Sequence, residues 1–165
     1  MTMSKSSLRN ETSAGSMRPP SWSIFVYLTI SLVGIVDAGY LTVSHYQQSD
    51  VSCSILDGCS QVLSSSYATM LGAPTALYGL LFYMLIFFGT LWYLYAGNLK
   101  MLYKISIIAI IAFFVSLGFV FIQAFVLEAW CFYCVISASL STVLGINAAY
   151  ILYILNPVIE RRYKM

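Results

Sequence analysis

The chain has 165 residues, of which 60% are apolar and only 8% charged, with a formal net charge of +2. Soluble domains carry about 25% charged residues, and a chain this short has too little interior to hide so much apolar surface from water. The composition excludes an ordinary soluble globule, gives no reason to expect a nucleic-acid partner, and leaves room for four bilayer spans of roughly 20 residues each.

Residues 1–21 are polar and rich in Ser and Thr, with Lys5, Arg9, Arg18 and the pair Pro19-Pro20, and read as a disordered tail. No cleavable signal peptide is expected, because the apolar run that follows is too long for a signal core and lacks a small-residue cleavage site. The first span is predicted at about 22–46, with Ser21 as its cap. A polar loop covers 47–73 and holds Cys53, an Asp57-Gly58 turn and Cys59. From Ser60 to about Ala68 a short helix is predicted, its Val62, Leu63 and Tyr67 spaced to cap the bundle or rest on the bilayer. The second span is predicted at 74–96, opened by Pro74 and ended by Gly97-Asn98. The third, at 101–127, is followed by a tight turn at Glu128-Ala129-Trp130. The fourth, at 131–155, begins with Cys131-Phe-Tyr-Cys134 and is stopped by Asn156-Pro157, leaving a basic tail at 157–165. The expected fold is an all-α membrane protein: one four-transmembrane-helix bundle, 22–156, with an outward cysteine-bearing loop that contains a short helix.

Orientation follows from Lys and Arg. Lys5, Arg9, Arg18, Lys100, Lys104, Arg161, Arg162 and Lys164 all fall on one side of a four-span arrangement, while Asp50, Asp57 and Glu128 fall on the other. Both termini are therefore expected in the cytoplasm, and all four cysteines on the outer, oxidising side.

Several polar and small residues inside the spans stand out. Asp37, in the outer half of span one, is costly in lipid and is expected to face the bundle, with Gln123 as its candidate partner. Asp37 and His45 are candidates for proton relay, against plain roles in helix packing and surface anchoring. Trp22, Trp92, Tyr93 and Tyr95 fit interfacial belts, and Trp130, Phe132 and Tyr133 flank the cysteines closely enough to bound a ligand slot. Gly34, Gly89 and Gly118 are expected to allow close helix approach.

The cysteines carry the chemistry. Cys131 and Cys134 open a helix, where unpaired N–H groups and the helix dipole favour a thiolate, the attacking species in disulfide exchange. Opposite them lies the second pair, Cys53 and Cys59. Two dithiols at one membrane face suggest a relay between a thiol and something dissolved in lipid. Two inert structural bridges, or an all-cysteine zinc site, are the other readings of the same four residues. The oxidising side disfavours thiolate metal ligands, so no metal is expected.

The chain resembles the vitamin K epoxide reductase family in its bacterial form. The resemblance runs from about Trp22 to Leu155. It rests on the stretch from Gly34 to Tyr46, on Cys53 and Cys59 with five residues between them, and on Val62-Leu63-Ser64-Ser65. Gly72-Ala-Pro74, Gly79 and Cys131-Phe-Tyr-Cys134 complete it. It implies a quinone, such as ubiquinone or menaquinone, bound in the bundle near its outer end. It implies that Cys134 faces the quinone, that Cys131 exchanges with Cys59, and that Cys53 meets a thioredoxin-like (DsbA-like) thiol oxidase. Ser65 matches a loop hydroxyl that stabilises charge on the quinone, and Trp130 is a further candidate there. Many bacterial relatives carry that thioredoxin-like domain fused at the C-terminus. This sequence stops at Met165, so a separate partner, and a monomeric bundle in a bacterial inner membrane, are expected. Two positions depart from the animal enzymes: Ala138 stands where they have Tyr, and Thr75 where they have Asn. The implied function is quinone-dependent thiol oxidation in support of disulfide formation. Vitamin K epoxide reduction, or a non-catalytic membrane protein with structural disulfides, are the alternatives.

Overall fold

In a computed structural model the described residues are 19–47, 59–70 and 72–163, without the side chains of 60 and 157–163. Cys53 and the Asp57-Gly58 turn lie outside them. Four long helices form: α1, Ser21–Tyr46; α3, Thr75–Ala96; α4, Leu99–Phe125; and α5, Phe132–Tyr163. Each is long and apolar enough to cross a membrane, with the span of α5 ending at Asn156. The protein is an all-α integral membrane bundle. Between α1 and α3 lie the short helix α2, Cys59–Leu63, a single 3-10 turn, Ser66–Ala68, and a two-stranded ribbon of β1, Thr69–Met70, and β2, Ala73–Pro74.

The helices start and stop for local reasons. Pro20, not Ser21, takes the N-cap position of α1; Ser21 is already helical, and the first turn closes through Ser23 N–H to the Pro20 carbonyl at 3.0 Å. Gly97 ends α3 in the left-handed conformation, φ 64°, and gives its N–H to Tyr93. Asn98 then caps α4 by accepting the Lys100 N–H at 3.0 Å. The sequence places a stop at Asn156-Pro157, yet α5 continues to Tyr163. Proline removes one backbone donor, and near a helix end beside water that single loss does not unwind the turn. The ribbon was not foreseen: Thr69 pairs with Pro74 and Met70 with Ala73, antiparallel, around Gly72 at φ 82°.

Packing divides the bundle into levels. α1 lies chiefly on α3 and α4 chiefly on α5; α1 and α5 join the two pairs, and α3 against α4 is the thinner seam. The half that holds the α3–α4 turn is solid, filled by Tyr27, Ile86, Leu102, Ile105, Leu144 and Ile151, all fully buried. Hydrogen bonds pin this half: Tyr27 Oη to Ser106 Oγ at 2.9 Å, and Asn147 Nδ2 to the Ser23 carbonyl at 2.9 Å. At the opposite end a small second cluster gathers Cys59, Val62, Ala129 and Cys131.

Two of the three expected close approaches exist. A Cβ on Gly34 would enter the ring of Tyr83, and one on Gly89 would sit 2.8 Å from Ile105 Cγ2. Gly118 faces open space, and Gly145, against Phe113, takes its place. Tyr93 is buried rather than belted at the interface, while Trp22, Trp92 and Tyr95 are exposed as expected. Replacing Gly34 with Ala is expected to cost about 1–3 kcal/mol by overpacking. Thermal unfolding in detergent, followed by circular dichroism, should show a lowered midpoint.

Candidate active site

Between the solid half and the cysteine cluster lies a cavity of about 360 Å³. Its floor and walls come from all four long helices, and Val62, Leu63, Ser65, Tyr67 and Ala68 roof it. The loop segment is therefore a cap on the bundle. It is tied down by Gln61 Nε2 to the Leu127 carbonyl at 3.2 Å, Thr75 Oγ1 to the Ala68 carbonyl at 3.1 Å, and Tyr78 Oη to the Met70 carbonyl at 3.1 Å. Tyr78, Ile111 and Val115 line the cavity and are also 42%, 58% and 53% exposed. The cavity thus opens sideways at the thin α3–α4 seam, toward lipid.

The C-x-x-C straddles two environments. Cys134 lines the cavity. Cys131, one residue ahead of α5, is fully buried and packs in the cluster with Cys59, which is engaged in a disulfide. Cys131 and Cys134 are both free thiols. The Cys131 thiol is held down to about 7, first by a hydrogen bond from the Cys134 thiol. Burial opposes this; the backbone N–H groups of Cys134 and Tyr133 assist it, and the charge of Asp37 opposes it weakly. The site thus favours the Cys131 thiolate beside Cys59 chiefly through the Cys134 thiol, with the N–H groups of the helix start adding to it.

The remaining candidates are placed as follows. Ser65 is on the cavity roof, but its hydroxyl donates to the Val62 carbonyl at 2.7 Å. Trp130 stands outside the cavity, 44% exposed, against a separate hollow of about 210 Å³. Phe132 and Tyr133 do not line the cavity either; Tyr133 stacks on Tyr40 with ring centroids 5.2 Å apart. Asp37 Oδ2 is buried with no hydrogen-bond partner among the described residues. Gln123, its expected partner, is used elsewhere: its Oε1 accepts the Cys131 N–H at 3.3 Å, and its carbonyl accepts the Ala129 N–H at 3.2 Å. His45 is half-buried in the last turn of α1, edge-on to Tyr46 and two turns beyond Asp37.

A C-x-x-C at the mouth of a four-helix bundle, capped by a disulfide-bearing loop, is a narrow combination. A sequence profile of the vitamin K epoxide reductase family matches residues 25–149. The chain belongs to the vitamin K epoxide reductase family. Membership makes it a membrane oxidoreductase, in a family that uses quinone-type substrates. A search of curated proteins returns no match. Both departures from the animal enzymes of the family lie on the cavity wall: Ala138 brings a methyl group, and the Thr75 hydroxyl is spent on the loop.

Two residues the sequence did not single out for this site line the cavity beside Cys134. Tyr83 donates to the Ser137 carbonyl at 2.9 Å, one turn past Cys134, and Gln123 holds the motif from α4. Gln123 is the sole carboxamide in α4, which is the signal that could have found it. If the Cys134 thiol holds Cys131 down, Cys134→Ala raises the Cys131 titration from about 7 toward its ordinary value of 9.0. The rise of thiolate ultraviolet absorbance with pH in the reduced protein measures this.

Proposed function

We propose that this protein oxidises a thioredoxin-like thiol partner and delivers the two electrons to a quinone such as ubiquinone or menaquinone, sustaining disulfide formation outside the cytoplasm. The observation that carries this is the division of the C-x-x-C: Cys131 packs with Cys59, and Cys134 lines a lipid-open apolar cavity. At about 360 Å³ the cavity falls within the ~300–1,000 Å³ range of small-molecule sites, and its apolar walls with few polar groups suit a quinone ring.

The electrons balance in three exchanges. The partner's dithiol reduces a Cys53–Cys59 disulfide and leaves as a disulfide itself. Cys59, as thiolate, attacks a Cys131–Cys134 disulfide and closes again on Cys53, so that Cys131 and Cys134 become thiols. Cys131, as thiolate, then closes on Cys134; the electron pair and the Cys134 proton leave for the quinone, which becomes quinol by taking up the proton that Cys131 has already shed. The observed combination, a disulfide at Cys59 with thiols at Cys131 and Cys134, is the state that precedes this last exchange.

Orientation completes the reading. Lys100 and Lys104 are exposed beside the α3–α4 turn, at the opposite end of the bundle from Glu128 and Cys131. With both termini cytoplasmic, the cysteines face the periplasm of a bacterial inner membrane, where a separate partner docks on a monomer. Asp37, with a buried unpartnered oxygen whose charge reaches Cys131, serves as proton station, and His45 leads outward from it. Asp37→Asn is expected to slow quinol formation about a hundredfold in stopped-flow assays while leaving the number of reducible thiols unchanged.

Anaerobic reoxidation tests the function. The protein is reduced in detergent, freed of reductant and titrated with quinone, and thiols lost are counted against quinol formed. One quinol per dithiol, abolished in Cys134→Ala, is the expected result. No quinol from a fully reduced wild type would refute the reading. Vitamin K epoxide in place of quinone should remain unreduced, because Ala138 gives it no hydrogen bond.

A further inference from the structure

Within hydrocarbon a hydroxyl has few partners except backbone carbonyls, and most hydroxyls of the cavity wall are engaged in this way; those of Tyr67 and Ser116 make no hydrogen bond among the described residues. Ser65, Thr75, Tyr78, Tyr83 and Ser141 line the cavity, and each donates its hydroxyl proton to a backbone carbonyl at 2.7–3.1 Å. A hydroxyl so engaged offers lone pairs inward, which repel rather than stabilise an oxygen that is gaining electrons. Ser65 is therefore poorly set to aid a quinone carbonyl.

Gln123 differs. It is 5% exposed, lines the same cavity as Cys134, and is fixed at both its carbonyls: side-chain Oε1 to Cys131 N–H, backbone oxygen to Ala129 N–H. Since Oε1 is directed at Cys131, the amide N–H₂ on the same planar group is aimed another way. No described residue accepts from it, and the side chain that carries it lines the cavity. A carboxamide carries two donors there. We propose that Gln123 is the hydrogen-bond donor to a quinone ring oxygen, and that through Oε1 the same side chain sets the position of Cys131.

The proposal rests on the quinone reading above and adds a consequence to it. One rigid amide joins the ligand to the backbone of the nucleophilic cysteine. A ring oxygen that gains electron density pulls on the N–H₂, polarises the amide, and strengthens the acceptor at Cys131 N–H. Seating of the quinone and alignment of the C-x-x-C are then coupled by a single residue rather than by helix movement.

The experiment compares two ring-matched ligands, methylnaphthoquinone and methylnaphthalene, bound to the full-length protein in detergent and followed by quenching of intrinsic fluorescence. Gln123→Met keeps the shape and removes the amide. Loss of one hydrogen bond is expected to weaken the quinone roughly tenfold, to raise its KM by a similar factor, and to leave the hydrocarbon unaffected. Equal weakening of both ligands, or of neither, would overturn the assignment. A second measurement needs no substitution. In wild-type protein isotope-labelled at glutamine, the side-chain amide resonance missing from Gln123→Met should move on adding methylnaphthoquinone and stay still with methylnaphthalene. A resonance unmoved by the quinone would also overturn it. Wild type that binds neither ligand would sink the quinone reading together with this one, whereas quinone binding that ignores the substitution sinks this one alone.

Discussion

Hydrocarbon accepts no hydrogen bonds, and the arrangement of this bundle depends on that constraint. Every polar atom carried into the bilayer must find a partner in the protein or remain at a cost of several kcal/mol. Thr42, Thr90, Ser106 and Thr142 meet the demand by bonding a carbonyl three or four residues earlier in their own helix. Tyr27 and Asn147 meet it by reaching across to another helix, which fixes the register of the solid half. Against so thorough a settlement, the few groups left open acquire meaning. Asp37 Oδ2 beside the redox cysteines and the amide nitrogen of Gln123 are two such groups.

The second organising fact is that a C-x-x-C at the first turn of a helix points its two sulfurs differently. The first cysteine precedes the helix and meets the loop; the second lies one turn in and meets whatever the bundle encloses. A separation of three residues thus links a water-side partner to a lipid-side one without moving a domain. The bond from the Cys134 thiol to Cys131 also assigns roles, because the donor keeps its proton while the acceptor is readied for attack. Burial of Cys131 limits that attack to neighbours already in contact, chiefly Cys59.

Much of this was legible in the residues. Hydropathy indicates four apolar helices, because lipid imposes helix on any apolar run of that length; where the last one stops is not legible, since it runs on to Tyr163. The spacing of Val62, Leu63 and Tyr67 leaves a cap and a bilayer-resting segment both open, and the segment is a cap; a helix start accounts for only part of the lowered Cys131 thiol, whose first cause is the Cys134 thiol. What escaped was whatever depends on which way a side chain turns. Trp130 is near Cys131 in sequence but faces outward; Gly118 looks like Gly34 on paper but meets no neighbour. Tyr93, one of a run of aromatics, is carried inward by helical rotation while Tyr95 is not. Gln123 was read as a partner for Asp37 because both are polar and at similar depth. Its true partner, the Cys131 N–H, is a backbone group created by the turn, and backbone groups leave no mark in a residue pattern.

The solid half of the bundle has an electrical consequence. Among the described residues the cysteines, the cavity and Asp37 all lie toward one end, and the other end is filled by packed apolar side chains. On the proposed reading, two electrons and two protons leave thiols and join a quinone within that one end. Charge then has no reason to traverse the bilayer during a cycle. Moving one elementary charge across it would be worth about 2.3 kcal/mol per 100 mV, and here none is moved. The protein would turn over at the same rate in an energised membrane as in a collapsed one, drawing its drive solely from the difference in redox potential between thiol and quinone.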